Sequence, residues 1–216
     1  MRGDRPVVLA ISRQIGSGGA FIGQAVARRL GMKYVDREIL RDAATELEVD
    51  DEAMIEAFEE RPDTLWSRIA RFVACSAPDA PYVPPPPRIH EAQVMRVQTR
   101  IIKAIAERES AVIVGRGAPH ILAGRPNVVR LFVHAPREYR LREVERAYNL
   151  TPEDARDLVK RSDRDRAKFV EAMTGRAWTD AGMFDLALDG SWLPIELAGE
   201  MVARVVEERR ARLHET

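Results

Sequence analysis

The segment VVLAISRQIGSGGAFIGQAVARRL, Val7 to Leu30, changes character twice. Val7 to Ile11 is a short apolar run rich in β-branched residues, the pattern of a buried strand. Ser12-Arg13-Gln14 leads into Gly16-Ser17-Gly18-Gly19, after which Phe21, Ile22, Ala25, Val26 and Leu30 recur at helical spacing. The segment therefore reads as strand, glycine turn, helix. Glycines let backbone approach a ligand closely, and the unpaired N–H groups at a helix start carry partial positive charge, so such a turn can hold phosphate. It can equally be a tight turn with no ligand.

The turn fits no standard phosphate motif in full. A G-x-x-x-x-G-K-[ST] loop uses its lysine on the terminal phosphates and its hydroxyl on magnesium; here Gly19 stands at the lysine position, followed by Ala20 and Phe21. A dinucleotide fingerprint has Gly16 and Gly18 but Phe21 in place of its third glycine, although Asp36 lies at about the distance of a ribose-binding acid. A nicotinamide-dependent reductase is thus one reading of the turn, and a phosphate site without lysine is another.

Composition narrows the classes. The 216 residues are 45% hydrophobic, enough for one large core with an insert or lid. With 34 basic and 34 acidic residues, nothing global points to nucleic acid or an anionic membrane, so any anion site must be local. The single cysteine, Cys75, excludes an internal disulfide and suits a reducing compartment. His90, His120, His134 and His214 lack paired ligand spacing, which predicts satisfied or exposed imidazoles and no zinc. No apolar run approaches the roughly 20 residues of a membrane span, and MRGDRP lacks a signal core, so a cytoplasmic location is expected.

Further along, Lys33 to Val35 reads as a second strand ending at Asp36-Arg37, and helical stretches are expected at 38–47, 51–60 and 63–75. Residues 76–88, with Pro84 to Pro87, predict an extended connector or a ligand for a proline-reading module. A helix is expected from Ile89 to Arg108, strands at Ala111–Val114, Val128–Val133 and Phe184–Leu188, and helices from Pro136, from Thr151 and from Pro194 to Leu213. The last should turn Ile195, Ala198, Met201, Val202, Val205 and Val206 inward. Strands alternating with helices predict an α/β fold with a parallel sheet covered on both faces and ligands beyond the strands' carboxyl ends. Those ends carry Arg13, Asp36, Arg37, Arg116 and Asp189.

Arginines recur there. In the helix after Thr151, the inward line runs Ala155, Val159, Ser162, Arg166, Phe169, Met173. A guanidinium on that line is costly to bury without an anion, so Arg166 is expected to face an anion-receiving cleft, oriented by Asp163. Arg161 and Arg164 flank the line; Arg140, Arg142 and Arg146 are expected to face solvent. Arg116, between Gly115 and Gly117, is placed either at the ligand edge or as a helix cap. A glycine turn with converging arginines favours phosphoryl transfer, where catalysis is mostly positioning and charge neutralisation.

ISRQIGSGGAFIGQAVARRLG with YVDREIL, then VIVGRGAPHIL, LFVHAPREYRLREV, SDRDRAKF and FDLALDGSWLPIELA together resemble the cytidylate kinase-like family of nucleoside monophosphate kinases. The resemblance implies a single domain on a five-stranded parallel sheet flanked by helices, with a helical acceptor-binding insert at about 45–105 and a lid at about 150–180. It implies transfer of the γ-phosphoryl of ATP to CMP or dCMP with magnesium. By position, Gly16, Ser17, Gly18, Gly19, Ala20 and Phe21 would wrap the donor phosphates. Asp36, Arg37 and Arg116 would lie on the acceptor side, with Asp36 also arranging magnesium or capping the next helix. Arg161, Asp163 and Arg166 would belong to the lid. Standard members carry a lysine at position 19 and an aspartate at 117; here both are glycine, and Arg13 is the expected replacement cation. A protein that binds nucleotide without catalysis is the other implied function. Nucleic acid and membrane are not expected as partners, and homo-oligomerisation is left open.

Overall fold

Strand β1 (Val8–Arg13) forms the middle of a five-stranded parallel sheet in the computed structural model, which describes residues 5–36 and 91–215. The remaining elements are α1 (Gly19–Leu30), β2 (Lys33–Val35), α2 (Glu91–Arg108), β3 (Ala111–Val114), α3 (Ala118–Ile121), β4 (Val128–His134), α4 (Arg137–Tyr148), α5 (Pro152–Thr174), a short 3-10 turn (Ala181–Met183), β5 (Leu186–Asp189) and α6 (Ile195–Glu215). Strand order is β2-β3-β1-β4-β5, and Val8 pairs with Ala111 on one side and Val128 on the other. All carboxyl ends therefore open at one rim. Arg37, the connector at 76–88 and the insert up to residue 90 lie outside the described residues; its last part, 91–105, belongs to α2.

Alternation along β1 separates two cores. Leu9 and Ile11 join Ile22 and Val26 of α1 and Ala198, Val202 and Val206 of α6, while Val8 and Ala10 join Ile101, Ile102 and Ile105 of α2. No helix among the described residues is long and apolar enough to cross a membrane.

Three sequence expectations change here. Met201 and Val205 are exposed, because α6 meets α1 and the sheet through the side that carries Ala198, Gly199, Val202, Ala203 and Val206; together with Leu197 they leave an apolar stripe. β5 begins at Leu186 because the Phe184 N–H closes the 3-10 turn onto Ala181 and its ring joins Phe132, Trp178 and Met183. His120 is neither satisfied nor fully exposed: its Nε2 is buried without a hydrogen-bond partner, its ring meets Phe184 edge-on, and burial lowers its pKa.

Candidate active site

At the carboxyl end of β1 the chain turns through Gln14–Gly18 and enters α1, whose N-cap Gly18 has φ 80°. The first intrahelical bond from this end runs from Ile22 N–H to Gly18 carbonyl (3.0 Å), leaving the N–H groups of Gly19, Ala20 and Phe21 at the open helix start. Ser17 is fully buried and its Oγ donates to the Gln14 carbonyl (2.8 Å) and contacts that of Val133 (3.2 Å). Its side chain ties the turn to β4 and leaves a ligand only backbone to meet. Gln14 adds a second tie, accepting from Ala135 N–H through Oε1 (3.2 Å).

Arg13 crosses this site. A Cβ on Gly19 would lie 2.7 Å from Arg13 Cβ, and a Cβ on Gly115 would fall on Arg13 Nη1. The side chain thus leaves β1, passes over the first residue of α1 and ends above the turn after β3. The space into which a lysine at position 19 would grow is already filled by the stem of an arginine. Tyr34, Asp36 and Tyr148 bear on the Arg13 guanidinium electrostatically, while its burial lowers its pKa.

Arg166 reaches the same place from α5, and the inward line Ala155, Val159, Ser162, Arg166 holds. Phe169 and Met173 occupy the space above Gly117, which brings Arg166, three residues before Phe169, toward the end of β3 and Arg13. Its Nη1 donates to the carbonyl (3.3 Å) and hydroxyl of Ser162. Burial, with repulsion from Arg13 next, lowers its pKa to about 10; Asp163 and Tyr148 oppose this only in part. Two desolvated guanidiniums that repel each other form a site prepared for an anion.

Gly115, Arg116 and Gly117 all have left-handed backbone, φ 84°, 55° and 71°. For arginine that conformation costs about 1 kcal/mol, and it sets a half-buried Arg116 at the sheet's ligand rim. Arg161 and Arg164 are exposed on α5, Arg164 against Asp165. Asp163 is committed elsewhere: it forms a two-pronged pair with Arg140 (3.0 and 2.9 Å), whose Nε also donates to the Ala135 carbonyl (3.1 Å). Arg140 is 5% exposed, so the expectation of a solvent-facing charge is wrong for it, although it holds for Arg142 and Arg146. The signal is its spacing: Arg140, Val144 and Tyr148 fall on one helix face. Tyr34 and Tyr148 are further residues at the site that sequence reasoning missed.

Beside Gln14, a cavity of about 460 Å³ is lined by Phe132, His134, Ala135, Pro136, Thr179 and Asp189. It lies along the ends of β4 and β5 and does not include Arg13, Arg116 or Arg166. In its wall the Phe132 and His134 rings stack on each other (6.0 Å).

The residues fit a polyphosphate: an open helix start, a glycine turn whose added side chains would collide with the wall, and two guanidiniums. They do not fit a magnesium ion held by the chain. Ala20 stands at the hydroxyl position of the loop motif with the exposed Phe21 after it, so the helix start offers the ion no hydroxyl, and the nearby carboxylate, Asp36, sits in the field of Arg13.

Solved structures share the fold. An uncharacterized protein from Eubacterium ventriosum is 18% identical with a TM-score of 0.67, covering 93% of this chain and 98% of its own. Shikimate kinase from Bacteroides thetaiotaomicron is 16% identical with a TM-score of 0.52 over the same shares. TT1252 from Thermus thermophilus is 20% identical with a TM-score of 0.50, covering 94% of this chain and 98% of its own. No curated sequence matches the chain. The family model of the cytidylate kinase-like family matches residues 8–191, which takes in the glycine turn, both guanidinium-bearing elements and the whole sheet; the chain belongs to that family.

Proposed function

We propose that the protein is a nucleoside monophosphate kinase that transfers the γ-phosphoryl of ATP to CMP or dCMP. The observation that carries this reading is the approach of Arg13 and Arg166 to each other at the end of β3, with the Arg13 stem passing over the open start of α1. Backbone N–H groups from Gly16 to Phe21 surround the donor phosphates; of these residues Ser17 contributes main chain only. Asp36 and Arg116 take the acceptor side; Arg37, which the resemblance groups with them, lies outside the described residues. An oxygen of the acceptor's phosphate attacks Pγ while the bond from Pγ to the β–γ bridging oxygen breaks, leaving ADP and a nucleoside diphosphate. Negative charge spreads over the transferring group in that step, and Arg13 and Arg166 are placed to neutralise it; Arg161 joins them when α5 moves inward. Asp163 is a positioning residue that holds α5 against α4 through Arg140.

Glycine at 19 and phenylalanine at 21 favour a second reading, nucleotide binding without turnover. ADP formation measured with each nucleoside monophosphate, and with shikimate because a structural neighbour is named for it, separates the two. Turnover with a cytidine nucleotide supports the first. Tight ATP binding with no turnover on any acceptor leaves the second.

A further inference from the structure

A phosphate loop usually shares the neutralisation of its ligand between a lysine, a hydroxyl-held magnesium ion and backbone N–H groups. In this chain the lysine position is Gly19, and the space above it is filled by Arg13. The hydroxyl position is Ala20, and Phe21 beside it projects into solvent from the first turn of α1. What the site has instead is two guanidiniums, Arg13 over Gly115 and Arg166 one helical turn before Phe169, which packs over Gly117. Together they carry the charge of one divalent cation, in fixed positions and already stripped of much of their water.

Resting on the nucleotide reading above, we infer that this site binds polyphosphate in its metal-free form, with Arg13 and Arg166 taking the place of magnesium. The electrostatics run in one direction. A divalent cation held with the phosphates would be brought close to two guanidiniums and would repel both, with no hydroxyl at position 20 to offset this. A metal-free polyphosphate meets both arginines through paired N–H donors and relieves their mutual repulsion. With Asp36 bearing on Arg13 and Asp163 paired to Arg140, the charge of Arg166 is the one left to meet the ligand.

Calorimetric titration of the full chain with ATP, and separately with inorganic pyrophosphate, in excess EDTA and in excess magnesium tests this. Metal-free ATP should bind at least as tightly as its magnesium complex. Ala20→Thr, which supplies the hydroxyl that the loop motif has directly after position 19, should shift the preference toward the magnesium complex. Arg13→Gln, checked for folding by circular dichroism, should weaken metal-free binding by about tenfold or more. Wild-type binding that weakens more than about tenfold in EDTA overturns the inference and leaves the kinase reading standing. Absence of binding by ATP and pyrophosphate in both conditions overturns the nucleotide reading, and the inference with it.

Discussion

Arg13 carries the most testable consequence at the scale of single residues. Truncation to alanine should lower kcat/KM by about 10²–10³-fold in a protein that remains folded; near-normal turnover would show that another group neutralises the phosphates. The shared volume at position 19 has its own test. Gly19→Lys should destabilise the protein by roughly 1–3 kcal/mol through the collision with Arg13 Cβ, and the cost should shrink in an Arg13→Gly background. Strict additivity in that double-mutant cycle would mean the two side chains do not compete. Arg166 gives a prediction in pH. Its pKa is lowered to about 10 in the fold, so above that value the unfolded chain binds more protons and stability rises with pH toward the ordinary arginine range. At neutral pH the charged group burdens the ligand-free protein. Arg166→Met should therefore stabilise it, by roughly 1–3 kcal/mol after allowing for residual solvent, and a thermal melt with no gain would refute this. Arg166→Ala should also lower kcat more than it weakens ATP binding.

Among the elements, α4 and α5 are joined by Leu141, Val144, Leu158 and Val159 and by the Arg140–Asp163 pair, with Ile15 of the glycine turn buried against them. Arg140→Ala strands a carboxylate and a carbonyl, and urea unfolding should show a loss of roughly 2–4 kcal/mol. A loss below about 1 kcal/mol would assign the joint to the apolar contacts alone. Much of this architecture was legible from residue order. The apolar runs of β1, β3 and β4 and the helix caps at Gly31 and Thr151 mark their elements locally, and the Ala155-to-Met173 line placed Arg166 inward. Strand order was not readable from periodicity, and the family resemblance supplied only the number of parallel strands. Periodicity tells which face of a helix is apolar and is silent on whether a neighbour covers it, which is why Met201, Val205 and Phe21 lie outside. Arg140 was misread for the opposite reason: its charge was weighed before its register with Val144 and Tyr148.

For the molecule as a whole, the glycine turn is the joint where the sheet, α1 and the α4–α5 pair meet, so an anion bound there should tighten all three. Saturating pyrophosphate or ATP should raise the melting temperature, by about 2.7 kcal/mol of stabilisation at a hundredfold excess over Kd, and the stabilisation should fall by about half or more in Arg13→Ala. An equal rise in that variant would place the ligand elsewhere. The route of Arg13 between Gly19 and Gly115 also makes these three positions a single unit of change. Installing a lysine on the helix while the strand arginine is present overfills the gap, and any side chain at 115 would evict the guanidinium. A lineage, or a designer, moving between the two charge arrangements must therefore pass through a protein that holds neither cation or through one destabilised by holding both, so each arrangement tends to persist once adopted.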